Sequence, residues 1–230
     1  MKDIKVSEDK EKERMGKIIS LLEKNVRSDC ALEYTGDPWK LAVMARLSAQ
    51  CTDLRVNQVS KRLFEVYPDA DSMAKADPTA LEKLVMPCGL YRVKAANIKK
   101  MSEIIAGEYG GKVPCDMEQL LKLPGVGRKI ANLIRGDLFG LGGIVADTHC
   151  IRICGRLGFY PQTLKDAVKV EKILTPLVPV EKQTDFCHRL VWFGRETCNA
   201  RNPKCAGCPL SALCAAFTVN KENNKSGQLS

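Results

Sequence analysis

The stretch Leu123-Pro124-Gly125-Val126-Gly127-Arg128-Lys129 separates two segments of helical apolar periodicity. Two glycines and a proline stop the first helix and permit a tight turn, and two adjacent cations open the second. Such a hairpin exposes backbone N–H groups and aims them, together with the positive end of the following helix, at an anion. An ordinary glycine-rich helix–helix turn has the same local sequence, so the rest of the chain decides between the two.

At 230 residues and 45% hydrophobic content the chain can bury one large core or two small ones. The formal charge of +9, with a pI near 9.0, points to a polyanionic partner. The cations concentrate in three runs without an acid: Gln119 to Gly136 (Lys122, Arg128, Lys129, Arg135), Leu84 to Ser102 (Arg92, Lys94, Lys99, Lys100), and Thr197 to Lys221 (with Arg201 and Lys204). Runs placed beside motifs read as a phosphate-binding footprint. The first fourteen residues are mixed in charge and lack an apolar core, so neither a signal nor a transit peptide is expected. No apolar run approaches bilayer length, and no membrane partner is expected. Eleven cysteines in such a chain argue for reduced thiols plus a metal rather than a disulfide scaffold.

Helical spacing predicts a first helix over about 9–28 after a frayed, charged start, then Trp39 to Gln50 behind an Asp37 cap and Pro38. A third helix runs from a Thr52 or Asp53 cap to Tyr67. Short helices follow at 70–76 and 78–85, and a longer one at 92–109, buried through Val93, Ala96, Ile98, Ile104 and Ile105. Beyond 117–123 and the hairpin come helices at 128–139, from Asp147-Thr148-His149 to Leu157, at about 164–177 and at 180–196. The tail, about 218–230, reads as disordered. No strand alternation appears, so the expected class is all-α, with ten or eleven helices.

Cys198, Cys205, Cys208 and Cys214 form C-x6-C-x2-C-x5-C. Four soft thiolates in one short loop with Pro203, Gly207 and Pro209 have little apolar material to hide in and are expected to ligate metal. The spacing fits both a tetrahedral zinc and a cubane [4Fe-4S] cluster. The other seven cysteines read as buried apolar filler.

Lys129 stands at the start of a helix beside Arg128, where the helix end and the neighbouring cation both disfavour its protonated form. A neutral lysine amine is a nucleophile; a phosphate contact is the plainer role. Asp147 reads as the N-cap of the next helix, where its carboxylate can also stabilise a developing sugar cation. His149 and His188 read as structural hydrogen-bonding groups.

The order LPGVGRK, then the aspartate of DTH eighteen residues after the lysine, then C-x6-C-x2-C-x5-C resembles the endonuclease III family of helix-hairpin-helix DNA glycosylases. Leu47-Ser48-Ala49-Gln50-Cys51-Thr52-Asp53 and GLYRVKAANI at 89–98 are similar to that family's DNA-facing segments, and the resemblance runs from about Leu32 to Cys214. It implies a bifunctional DNA glycosylase/AP lyase that removes oxidised pyrimidines from damaged double-stranded DNA. Lys129 would attack C1′ and form a Schiff base, Asp147 would assist departure of the base, and β-elimination would cut on the 3′ side. The base must first leave the stack. Gln50 and Leu90 would fill the gap, while the backbone of Gly125, Val126 and Gly127, with Arg128 beside them, would hold a phosphate.

The resemblance also implies a [4Fe-4S] cluster on the four cysteines, a monomer, and a cytoplasmic location at the nucleoid of a prokaryote. It implies two helical domains flanking a DNA-binding cleft: 31–142 with the hairpin, and a discontinuous iron-sulfur domain of 1–30 with 143–230. Ile130, where the family often has threonine, and Cys150, where it has a bulkier apolar residue, depart from the pattern and bear on the substrate pocket. Two other readings share the composition. A monofunctional adenine or mismatch glycosylase would lack the lysine, and a catalytically silent iron-sulfur DNA-binding module would need neither Lys129 nor Asp147.

Overall fold

The computed structural model describes residues 2–218. Among these it is helical throughout, with no strand. The helices are α1 (Lys2–Asn25), α2 (Pro38–Leu47), α3 (Asp53–Val66), α4 (Ala70–Ala74), α5 (Pro78–Val85), α6 (Tyr91–Glu108), α7 (Met117–Lys122), α8 (Arg128–Phe139), α9 (Thr148–Leu157), α10 (Ala167–Leu174) and α11 (Gln183–Glu196). Most starts are written in the sequence as side-chain caps. Asp37, Thr52, Asp69, Asp77, Asp116, Asp147 and Asp166 each accept from an N–H of the first turn.

The chain divides into two compact units, Cys30–Leu141 and the discontinuous Met1–Asp29 with Gly142–Ser230. In the first, α2 is the axis of the core: Trp39, Leu41 to Ala45 and Leu47 are all buried, so the helix is covered all round. Trp39 donates through Nε1 to Ser102 of α6 at 2.9 Å and tilts against the ring of Phe64 at 5.4 Å. In the second unit, α1 buries Met15, Ile18, Ile19 and Leu22 in a core shared with α9, α10 and α11. Arg189 of α11 pairs with Asp185 at 2.7 Å and donates to the carbonyls that end α1, including that of Val26.

Several boundaries differ from expectation for local reasons. Helix α1 begins at Lys2, without a frayed lead-in, and i,i+4 pairs at Glu8–Lys12 and Glu13–Lys17 support it. Helix α2 stops at Leu47, because Ser48 turns its hydroxyl back to Ala45 and Gln50 adopts φ +54°. Helix α10 is confined to Ala167–Leu174, its start set by the Asp166 carboxylate and its end by turn bonds back to Leu174. A 3-10 turn, Val180–Lys182, precedes α11. Helix α6 turns a different face inward: the buried stripe is Lys94, Ala95, Ile98, Met101, Ser102 and Ile105, while Val93 is 58% exposed and Ala96 is exposed. Of the tail expected to be disordered, Thr218 closes a helical turn onto the Cys214 carbonyl, and 219–230 lie outside the described residues.

Candidate active site and cysteine loop

In the Cys30–Leu141 unit, the hairpin is pinned from below. Leu123 and Val126 are buried, and the Val126 N–H closes the turn by donating to the Leu123 carbonyl at 3.0 Å. Val126 is therefore an anchor, and the amides left for an anion are those of the glycines and of the first turn of α8. Gly125 has φ +79°, a left-handed conformation that favours glycine, and a Cβ there would meet Arg46 at 2.5 Å. Gly127 caps α8 without a side chain. The positive end of α8 is thus not neutralised by a capping carboxylate, unlike the six helices capped by Asp. Arg128 and Lys129 follow in its first turn, both exposed.

Gln50 and Leu90 share an unusual backbone. With Thr35 they are the non-glycine residues of positive φ among those described, Gln50 at +54° and Leu90 at +48°. An L-residue in that conformation costs about 1–2 kcal/mol, and such strain collects at functional positions. Both are exposed, Leu90 at 59%. The segments that carry them meet at Lys94, whose Nζ donates to the Leu47 carbonyl and to the Cys88 carbonyl, each at 2.8 Å.

In the other unit, Asp147 accepts from the Cys150 N–H at 2.7 Å and so caps α9. The approach to it is fixed on α11: Gly143 donates to Gln183 at 2.8 Å and Val145 donates to the Cys187 sulfur at 3.2 Å. One turn and two turns along α9, Arg152 and Arg156 bind the start of the cysteine loop. Arg152 donates to the Cys198 carbonyl at 3.0 Å; Arg156 donates to the carbonyls of Asn199 at 2.7 Å and Ala200 at 2.8 Å, and through Nη1 to the Cys198 sulfur at 3.2 Å. Cys198, Cys205, Cys208 and Cys214 all line one cavity of about 910 Å³. Short 3-10 turns at Cys205–Gly207 and Ser211–Leu213 bring the last three into it. The same loop is thereby tied to the helix that Asp147 starts.

A family model for the HhH-GPD superfamily of base excision DNA repair proteins matches residues 43–179. Endonuclease III of Bacillus subtilis is 45% identical over 188 residues, 81% of this chain and 84% of the relative. The Synechocystis enzyme is 41% identical over 88% of this chain and 92% of its own. The chain belongs to the endonuclease III family. It is a DNA glycosylase and AP lyase of base excision repair. Among solved structures, a trapped endonuclease III–DNA covalent intermediate superposes with a TM-score of 0.80 at 37% identity, over 96% of this chain and 98% of that one.

Against this endonuclease III frame, some side chains do other work than composition suggests. Lys94 is fully buried and Lys99 donates to the Ala74 carbonyl, so neither belongs to the expected phosphate footprint. Cys115 is exposed rather than core filler, and the Cys187 thiol is a hydrogen-bond acceptor. Cys150 is 1% exposed and faces Cys154, so its departure from the family pattern alters the core of α9, not an open pocket. Three supports went unread in the sequence: Lys94, the Arg152–Arg156 pair and Arg46. Lys94 had a signal, since positions 94, 98, 101 and 105 form one helical stripe.

No helix among the described residues is long and apolar enough to cross a membrane.

Proposed function

We propose that Lys129 is the nucleophile and Schiff-base residue of this enzyme, acting on damaged double-stranded DNA with oxidised pyrimidines as the substrate class. The observation that carries this is the exposed Lys129 in the first turn of a helix capped by a bare glycine, immediately after a phosphate-type hairpin. The N–H groups of Gly125 and Gly127 and the Arg128 guanidinium hold the backbone beside the lesion, positioning without reading sequence. Gln50 and Leu90 enter the stack where the damaged nucleotide leaves it.

The Lys129 amine attacks C1′ as the glycosidic bond breaks toward the base, and the amine loses a proton. Opening of C1′–O4′ gives an iminium, and loss of a C2′ proton expels the 3′ phosphate. The Asp147 carboxylate stabilises positive charge at the sugar and assists departure of the base. Lys129 belongs to the Cys30–Leu141 unit and Asp147 to the discontinuous one, and these correspond to the two helical domains of the family.

The four cysteines fit a [4Fe-4S] cluster: four thiols share one cavity, and the Arg156 N–H donor on the Cys198 sulfur suits a thiolate. Bound there, the cluster supplies a rigid cross-link for a loop with little core of its own. We place the enzyme in the cytoplasm with the chromosome, acting as a monomer.

Borohydride reduction of the wild-type protein on a thymine-glycol duplex tests the reading. A covalent protein–DNA complex is expected. Base release without trapping would instead mark a monofunctional glycosylase, and neither would mark a silent DNA-binding module.

A further inference from the structure

We infer that Lys94 is a positioning residue for base extrusion: its buried ammonium ties the end of α2, which leads to Gln50, to the turn that leads to Leu90, and so holds both inserting side chains at one spacing. The inference rests on the reading of Gln50 and Leu90 as the residues that enter the DNA stack. Leu47 is the last residue of α2 and Cys88 the last of the 3-10 turn Met86–Cys88. Carbonyls at helix ends lack intrahelical partners and carry partial negative charge. One ammonium, a three-proton donor without acceptor capacity, satisfies a carbonyl of each at 2.8 Å. With Lys94 0% exposed, neither water nor phosphate competes for those bonds.

The consequence lies three and two residues downstream, where Gln50 and Leu90 sit in left-handed backbone. Such conformations persist only where the surroundings over-determine them. Lys94 is a direct link between the two segments, and it lies in α6, the helix that Leu90 itself starts. Its surroundings are dry: burial lowers its pKa, Arg46 acts the same way, and the Cys51 and Cys88 thiols oppose them. An apolar side chain of the same length would fill the space yet leave both carbonyls unpaired, freeing the two segments to drift.

The test separates positioning from folding by substrate. Under single turnover, Lys94→Met is expected to slow base removal from a thymine-glycol duplex about tenfold, a misplacement effect. Cleavage at a preformed abasic site, where no base needs extruding, should stay within about twofold once rates are normalised to the active fraction trapped by borohydride. Equal loss on both substrates, or none, would overturn the inference. In Lys94→Met/Leu90→Ala, base removal should fall no more than about twofold below Leu90→Ala alone, since both changes disable one device; a fully multiplicative loss would overturn it. Should Leu90→Ala and Gln50→Ala leave base removal unchanged, the insertion reading itself fails, an outcome distinct from a silent Lys94→Met beside an impaired Leu90→Ala. Lys94→Gln, which keeps two N–H donors on a shorter neutral stem, should show the same substrate split and serves if Lys94→Met does not fold.

Discussion

The side chain of Arg46 fills the space that a side chain on Gly125 would need, its Cδ and Nε lying 2.5 Å from the Cβ position. Arg46 is held there by Asn97 of α6, whose amide oxygen accepts from Nε and Nη2 at 2.9 Å each. The hairpin, α2 and α6 therefore lock together under the turn. Gly125→Ala must strain a left-handed φ and displace Arg46, so we expect a loss of roughly 1–3 kcal/mol in urea unfolding. Affinity for duplex DNA should fall with it, whereas Gly107→Ala, in the last turn of α6 with open space around it, should lower neither.

Lys129→Ala should abolish borohydride trapping and strand cleavage while leaving duplex binding measurable. Because Lys129 is exposed, the unfolding free energy of the variant should stay within about 0.5 kcal/mol of wild type. A trapped complex in the variant would move the nucleophile elsewhere.

Asp147 combines a cap with its proposed chemistry, and two substitutions separate them. Asn retains an acceptor for the Cys150 N–H, so Asp147→Asn should keep its stability yet lose about a hundredfold in base removal. Asp147→Ala should add about 1 kcal/mol of destabilisation from the lost cap. Normal turnover by Asp147→Asn would leave it a cap alone.

The cysteine loop predicts a metal content that can be counted. Purified protein should carry about four irons per chain and visible absorbance, both lost in Cys208→Ser; zinc without iron would refute the cluster assignment. Arg156→Met, which removes the donor to the Cys198 sulfur and to two loop carbonyls, should speed the loss of the chromophore to a chelator.

Stability should decline in alkali for an identifiable reason. Burial, with the neighbouring Cys51 thiol, pushes the Cys88 thiol up to about 11 from 9.0. A raised folded-state value means the native protein holds its proton longer, so the contribution is full below pH 9 and is lost as pH rises toward 11. The melting temperature of wild type relative to Cys88→Ala should therefore fall across that window. A constant difference would show that the thiol does not titrate on unfolding.

Much of this molecule was legible in its residues, because the signals involved are local. Caps, glycine positions and the 3.6-residue period need only neighbours in sequence, and they place α5, α8 and α9 at the boundaries observed. The four cysteines are close in the chain before they are close in space. Positive φ at Gln50 and Leu90 was not legible, since neither residue type favours it and the strain is imposed by what surrounds them.

The sequence by itself determined the helical class, the hairpin, the order of Lys129, Asp147 and the cysteine loop, and through them the family. Only the tertiary structure decided which cations face solvent and which face inward. Lys94 counts toward a basic run in the sequence, yet its stem lies in the core and its charge serves two helix ends. Arg46, Arg152 and Arg156 are likewise committed to partners far along the chain. The reason is physical: charge is a property of a residue, but the partner that takes it up is set by packing between segments that no local period connects.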